Sequence, residues 1–182
     1  MVSRATDLFT GPTMQVLISA EQIQHRVDEL AREIAATYPH REPVTIVGVL
    51  TGCLVFLADL IRRLDLPLRI ALIQASSYRG TNTQPGELRI QPEILPDLRG
   101  HHVLLLDDIL DTGQTLSNLT HRLQALEPLS VRVAVLLRKV GRQQVEFEPD
   151  FCGFQIPDKF VVGYGLDYDN QYRHLPYIGV LE

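Results

Sequence analysis

The sequence has few cysteines, and its charge is acidic rather than basic. Its 182 residues include 2 cysteines, 17 lysines and arginines, and 22 aspartates and glutamates, which gives a formal net charge of −5. Two isolated cysteines, Cys53 and Cys152, do not make a disulfide framework, so we expect a protein of the reducing cytosol. The acidic balance argues against a general nucleic-acid-binding protein, because phosphate contacts need clustered lysine and arginine.

The sequence also lacks the hydrophobic segments that membrane proteins and secreted proteins carry. No apolar run approaches the ~20 residues that a membrane-spanning helix needs. The first residues contain no apolar stretch long enough for a secretory signal, so we expect a cytoplasmic protein without a membrane partner. What is present is ordinary globular composition, 45% hydrophobic and 21% charged. This length and composition predict one domain over residues 1–182.

Hydrophobic patterning predicts strands that alternate with helices. Short apolar or β-branched runs predict strands at residues 14–18, 44–50, 68–75, 103–106, 131–137 and 160–164, and a strand at 87–91 that returns from a long loop. Apolar residues at helical spacing predict helices from the cap Ser19 to residue 37, from 53 to 64, and from the central motif to 126. This alternation predicts an α/β fold with a doubly wound, mainly parallel sheet and helices on both faces.

The most informative segment runs from residue 103 to residue 115. Four apolar residues, 103–106, lead directly into the carboxylates Asp107, Asp108 and Asp111. Leucines at helical spacing follow from Leu116 onward, so the acidic cluster lies where a buried strand turns into a helix. In open α/β sheets ligands bind at that junction, and the N–H groups of a helix N-terminus suit a phosphate.

The acidic pair followed by Asp-Thr-Gly-x-Thr resembles the ribose-phosphate motif of the phosphoribosyltransferases. Residues 151–168, FCGFQIPDKFVVGYGLDY, look like the base-binding segment of the hypoxanthine-guanine members of that family, and the resemblance extends from about Val16 to the C-terminus. It implies the type I phosphoribosyltransferase fold, with a core over about 38–165 and a small hood formed by about 10–20 and 150–182. It also implies purine salvage: the 5-phosphoribosyl group of phosphoribosyl pyrophosphate passes to hypoxanthine or guanine, giving IMP or GMP and pyrophosphate.

The resemblance implies roles for the carboxylates. Asp107 and Asp108 would bind the ribose hydroxyls and a Mg²⁺ ion, and Asp167 would lie near the same metal. Carboxylate oxygens are ligands that Mg²⁺ accepts. Adjacent strand residues point to opposite faces, so Asp107 and Asp108 reach one ligand only if the strand ends between them. The alternative is that one of them caps the helix or meets a lysine. Asp111 would face the purine and transfer its ring proton.

The remaining roles concern the phosphate and the base. The 5′-phosphate would be held by backbone N–H groups and two hydroxyls of Thr112, Gly113, Gln114 and Thr115. Lys139 would donate to O6 of the purine, Phe160 would stack on its ring, and the backbone of Val161 would contact its edge. Asp167 would also lie in the purine site. An ammonium group only donates hydrogen bonds, so Lys139 favours a 6-oxo over a 6-amino purine. The alternative for Phe160 is a core aromatic.

Pyrophosphate would be bound by Thr51, Gly52 and Arg173, although Arg173 has the alternative of a surface ion pair. Many family members carry lysine where this chain has Thr51, and several have a non-proline cis peptide at this place. Ser76, Ser77 and Tyr78 open a long polar loop that looks like the family's mobile lid, with a disordered surface loop as the alternative. The resemblance also implies a homodimer or a homotetramer, and the sequence leaves both open.

The same residues allow two other interpretations. A regulatory protein of the same fold, binding nucleotide or RNA without turnover, would be expected to lose Asp111 or to carry a basic face, and this acidic chain does neither. An aspartic protease would need an all-β pair of Asp-Thr-Gly turns, whereas this triplet opens a helix. The six histidines are scattered without cysteine at ligand spacing, so no zinc site is expected.

Overall fold

The computed structural model describes residues 14–38, 42–74 and 95–181 of the chain. The helices of this part are α1 (Ala20–Thr37), α2 (Leu54–Ile61) and α3 (Gln114–Gln124). The strands are β1 (Met14–Ile18), β2 (Val44–Leu50), β3 (Leu68–Gln74), β4 (His102–Leu110), β5 (Ser130–Lys139), β6 (Phe151–Ile156), β7 (Val161–Val162) and β8 (Ile178–Leu181). The strand predicted at 87–91 and the predicted lid residues Ser76, Ser77 and Tyr78 lie outside the described residues.

The larger sheet has five strands in the order β3-β2-β4-β5-β6, and each neighbouring pair is parallel. Alternate residues of β4 supply the two faces of this sheet. Leu104 and Leu106 pack with α1 and α2, whereas Val103 and Leu105 pack with α3. Such alternation buries a strand on both sides, which confirms the predicted doubly wound sheet with helices on both faces. None of the described helices is long and apolar enough to cross a membrane.

The smaller sheet is antiparallel, in the order β1-β8-β7, and it forms the predicted hood. Met14 pairs with Leu181, so the two ends of the described chain meet in this sheet. The Tyr164 hydroxyl donates a hydrogen bond of 2.7 Å to Asp59, which ties the hood to α2. The hood therefore stands beside the α1/α2 face of the parallel sheet.

The strand predicted at 160–164 is shorter than expected. Only Val161 and Val162 pair in β7, because Gly163 and Gly165 adopt positive φ angles of 99° and 103° and turn the chain. Strands β6 and β8 were not predicted as strands. The predicted helices also end early: α2 stops at Ile61 rather than 64, and α3 stops at Gln124 rather than 126.

Candidate active site

Two cavities adjoin at the carboxyl edge of the parallel sheet. The first, about 260 Å³, lies between the loop after β2 and the start of α3. The predicted residues that line it are Thr51, Gly52, Asp107, Asp108, Asp111, Thr112, Gly113, Thr115, Asp167 and Arg173. The second, about 230 Å³, lies toward the hood, and its lining includes Asp108, Asp111, Lys139, Phe160, Val161 and Asp167. Asp108, Asp111 and Asp167 line both cavities, so the chain brings the two predicted binding regions together.

Asp107 and Asp108 both line the first cavity although β4 does not end between them. The strand continues to Leu110, but its pairing with β2 stops at Leu106 and its pairing with β5 skips Asp108. Asp107 therefore continues the face that α3 covers, and Asp108 continues the opposite face. The cavity begins where β2 has turned away, so it is open to both side chains.

The two carboxyls stand in a strongly desolvated place. Asp107 is buried, and burial raises its pKa well above the ordinary value, with a further contribution from the negative charge of Asp108. Burial also raises the pKa of Asp108, while Arg173 acts to lower it. The Cys53 thiol lies close by, and burial raises its pKa to about 12, so it is an unreactive neighbour rather than a nucleophile.

The N-terminus of α3 is shaped to accept an anion. Its N-cap is Gly113, whose φ of 83° is left-handed and which has no side chain to cap the helix. Asp107 Oδ1 accepts from the Asp108 backbone N–H at 3.0 Å, so that oxygen is engaged within β4 rather than at the helix. Thr112 and Thr115 face the first cavity, but Gln114 does not: its side chain donates a 2.9 Å hydrogen bond to Gln144. The first-turn N–H groups remain available for a ligand.

Four charged side chains, Asp111, Lys139, Arg142 and Asp158, form a compact charge cluster at the mouth of the second cavity. Arg142 Nε donates to Asp111 Oδ1 at 3.0 Å and lies 3.6 Å from Asp158 Oδ1. Lys139 Nζ lies 3.7 Å from a carboxylate oxygen of each aspartate. The cluster joins the end of β5 to the loop after β4 and to the segment after β6, and its formal charges balance.

The wall of the second cavity is aromatic. Phe160 is 50% exposed and meets Tyr168 edge to face, with 5.6 Å between ring centroids. The alternative of a core aromatic at Phe160 is therefore wrong. A half-exposed ring beside a cavity that also contains Lys139 provides a stacking surface for a flat polar heterocycle.

The loop after β2 and the hood touch at the edge of the first cavity. The Leu50–Thr51 peptide is cis. A Cβ atom on Gly52 would lie 1.6 Å from Asp108 Oδ2, and one on Gly165 would lie 2.1 Å from the Gly52 carbonyl oxygen. Arg173 Nη1 donates to the Gly165 carbonyl at 2.7 Å, and Nη2 lies 2.7 Å from Asp167. The ion pair of Arg173 is thus part of the cavity wall.

Comparison with known proteins agrees with this geometry. Residues 19–169 match the family model described as the phosphoribosyl transferase domain. A hypoxanthine-guanine phosphoribosyltransferase of Bacillus subtilis is 42% identical over 168 residues, which are 92% of this chain and 93% of that protein. One from Aquifex aeolicus is 41% identical over 172 residues, 94% of this chain and 97% of that protein. The chain belongs to the hypoxanthine-guanine phosphoribosyltransferase family.

A solved structure supports the same assignment at the level of the fold. The hypoxanthine phosphoribosyltransferase of Staphylococcus aureus superposes with a TM-score of 0.88 at 37% identity, covering 98% of this chain and 97% of that one. The fold class predicted from the sequence, the type I phosphoribosyltransferase fold, is confirmed.

Sequence reasoning missed two members of this phosphoribosyltransferase site. Arg142 stands three residues after Lys139, beyond the strand end, and Asp158 stands inside the Ile-Pro-Asp-Lys run. Either residue looks like a solvated surface charge in the sequence, because only the folded chain brings Arg142 to Asp111 and Asp158 to Arg142. Among the described residues no three His, Cys, Asp or Glu side chains group around a metal position.

Proposed function

We propose that the protein transfers the 5-phosphoribosyl group of phosphoribosyl pyrophosphate to hypoxanthine or guanine, giving IMP or GMP and pyrophosphate in purine salvage. The observation that carries the proposal is the position of Asp111. It lines the cavity at the N-terminus of α3 and also the cavity that contains Lys139 and Phe160. A nucleotide needs that arrangement, since its phosphate and its base lie at opposite ends of one ribose.

The first cavity would bind the phosphoribosyl end of the substrate. The N–H groups of the first turn of α3 and the hydroxyls of Thr112 and Thr115 would hold the 5′-phosphate. Asp107 and Asp108 would accept hydrogen bonds from the vicinal ribose hydroxyls, as carboxylates do. Thr51, Gly52 and Arg173 would bind the pyrophosphate. This part of the site holds the sugar carbon in place, so that the reaction depends on orientation and charge stabilisation.

The second cavity would bind the base. Joining purine N9 to the sugar carbon C1′ breaks the bond to pyrophosphate and leaves a ring proton to be removed near N7. Asp111 would accept that proton, and in the reverse reaction it would return it to the leaving purine. Phe160 would stack on the ring while the backbone of Val161 reads its edge. Lys139 would donate to O6, which a 6-aminopurine such as adenine does not offer.

The donor set of the first cavity fits a magnesium ion. Asp107, Asp108 and Asp167 would hold it, directly or through water, and its chemistry would be to balance the charge of the pyrophosphate. No three ligating side chains of the described chain converge on one position. Waters and substrate oxygens would therefore have to complete the shell of the ion.

The wider setting belongs to the same proposal. We infer one domain over residues 1–182 with its core over about 38–165, in the cytoplasm, where the unpaired thiols Cys53 and Cys152 would stay reduced. Ser76, Ser77 and Tyr78 would close over the site as a lid before chemistry.

The assembly would be a homodimer or a homotetramer, which sedimentation would distinguish. Nothing favours the regulatory alternative, because Asp111 is present and faces the base cavity.

The test is an assay of the purified protein with Mg²⁺ and phosphoribosyl pyrophosphate against five free bases: hypoxanthine, guanine, xanthine, adenine and uracil. We expect nucleotide from hypoxanthine and guanine and none from adenine or uracil. Omitting Mg²⁺ should abolish the product. Binding of nucleotide without turnover of any base would instead support the regulatory alternative.

A further inference from the structure

In the charge cluster of Asp111, Lys139, Arg142 and Asp158, Arg142 is the cation that makes a hydrogen bond to Asp111. Its Nε donates to Asp111 Oδ1 at 3.0 Å, the length of an ordinary hydrogen bond. The same Nε lies 3.6 Å from Asp158, and both carboxylates hold the pKa of Arg142 above its ordinary value. Arg142 is therefore a permanent cation that holds one oxygen of Asp111.

Lys139 makes weaker contacts with the same two carboxylates. Its Nζ lies 3.7 Å from Asp111 Oδ2 and 3.7 Å from Asp158 Oδ1, beyond the 2.7–2.9 Å typical of a charge-assisted hydrogen bond. The lysine side chain is only 12% exposed, and it lines the second cavity. Within the described chain, the ammonium therefore keeps its donors uncommitted while it faces the cavity.

The turn that carries Arg142 is fastened on both sides. Val140 donates its backbone N–H to the Ile156 carbonyl at 2.9 Å, and Gln144 donates to the Thr112 carbonyl at 2.9 Å. The second of these bonds ties the turn to the loop that also carries Asp111. These backbone bonds hold the turn, and with it the backbone of Arg142, beside the loop of Asp111.

We propose that Arg142 is a positioning residue, which holds the Asp111 carboxylate by a directed hydrogen bond and so leaves the Lys139 ammonium free to donate to the base. The inference rests on the proposed function, since it assigns Asp111 and Lys139 to the purine. Without the guanidinium, the ammonium is the nearest cation to two carboxylates. It would move to hydrogen-bonding distance of Asp111, and two groups needed by the base would then bind one another.

The test compares Arg142→Ala and Arg142→Lys with Arg99→Ala as a matched control. Arg99 makes an exposed ion pair with Asp97 away from the site, so its loss removes the same kind of side chain without touching the cluster. For Arg142→Ala we expect kcat/KM for hypoxanthine to fall ~10-fold or more, the loss expected for a hydrogen bond between charged groups. KM for phosphoribosyl pyrophosphate should change little. Arg142→Lys should recover part of the loss, and Arg99→Ala should match the unmodified protein.

Two further measurements separate positioning from a general structural effect. Arg142 is half exposed, so added guanidinium chloride at concentrations below those that unfold the protein should restore part of the activity of Arg142→Ala and none in the control. A crystal structure of Arg142→Ala should show Lys139 Nζ about 2.8 Å from Asp111. Asp158→Asn should cost less than Arg142→Ala, because Arg142 keeps its bond to Asp111.

Wild-type kcat/KM for hypoxanthine in Arg142→Ala would overturn the inference, and so would a Lys139–Asp111 distance that stays at 3.7 Å. Neither result would touch the proposed function, which fails separately if the unmodified protein converts none of the five bases.

Discussion

Asp111 is the single side chain on which the proposed chemistry depends most. Replacing it with asparagine keeps its size and a hydrogen-bond acceptor but removes the proton acceptor. We expect Asp111→Asn to lower kcat by ~10²–10⁴-fold, the usual contribution of a positioned general base. The protein should stay folded, because the side chain lies at the cavity mouth and is 36% exposed. Turnover measured beside an unfolding curve checks both points, and near-normal turnover would remove Asp111 from this role.

At Gly52, steric space rather than charge determines the effect of a substitution on activity. An alanine Cβ would lie 1.6 Å from Asp108 Oδ2, so the carboxylate would have to turn away. We expect Gly52→Ala to fold but to lose kcat/KM ~10-fold or more, since displaced active-site groups are costly.

Gly100→Ala provides the contrasting control for Gly52→Ala. No atom would meet its Cβ within 4 Å, but its φ of 73° disfavours alanine. It should cost about 1 kcal/mol of stability and leave the activity of the folded protein unchanged. Equal activity in both variants would contradict the account of Gly52.

Asp107 should make stability depend on pH. Its pKa is raised in the folded protein by burial and by Asp108, so the folded state binds the proton more tightly than the unfolded state. The stability gained from this proton binding is complete below the ordinary aspartate pKa and is lost as the pH rises through the raised, folded-state pKa. The total loss is about 1.4 kcal/mol for each pH unit by which the folded-state pKa exceeds the ordinary one.

Asp107→Asn removes this cost while keeping the acceptor for the Asp108 N–H. At pH 8 the variant should unfold at a higher temperature than the unmodified protein, and the difference should shrink as the pH falls toward 4. Activity should be lost, because the ribose hydroxyls lose a carboxylate. Asp65→Asn, at an exposed position, should leave the melting curve unchanged. If the unfolding temperature of Asp107→Asn at pH 8 does not exceed that of the unmodified protein, the Asp107 carboxylate is not a destabilising buried charge.

At the scale of elements, one side-chain hydrogen bond joins the hood to the helical layer, in addition to the apolar packing of Val161 and Ile178. Tyr164 bonds Asp59 on α2 at 2.7 Å, and burial followed by the nearby Asp59 carboxylate raises the pKa of its hydroxyl, so it remains a donor across the physiological range. Tyr164→Phe should lower the free energy of unfolding by about 1.5–3 kcal/mol, the range for a hydrogen bond to a charged group.

Urea unfolding followed by circular dichroism would measure the effect of Tyr164→Phe. Tyr168→Phe, which removes the hydroxyl of an exposed ring, is the control and should change the midpoint little. An unchanged midpoint for Tyr164→Phe would mean that the hood is held by packing alone.

The elements that the sequence predicted correctly are those with a strong local pattern. Helix α1 begins after the capping box of Ser19 and Gln22, β2 is largely apolar, and β4 contains the apolar run 103–106. Strands β6 and β8 lack such a pattern. Each contains a glycine that lies against a neighbour: Gly153 beneath the Leu136 carbonyl and Gly179 beside Met14. Their pairing comes from tertiary contacts, which no window of sequence contains.

At the scale of the whole molecule, the site residues that sequence reasoning found are those within continuous motifs. Residues 107–115 form one such motif, and residues 151–168 carry another, so both could be recognised before folding. Arg142 and Asp158 could not, since their importance comes from contacts between separate segments: Arg142 with Asp111, and Asp158 with Arg142. The Gln114 side chain bonds Gln144, which leaves its backbone N–H as the group that the motif assigns to the phosphate.

The central claim is that one continuous cleft binds the whole nucleotide, and a crystal structure with bound IMP tests it most directly. We predict the 5′-phosphate on the first turn of α3 at residues 112–115, the ribose beside Asp107 and Asp108, and the base between Lys139 and Phe160. IMP bound elsewhere, with residues 107–115 empty, would contradict the account.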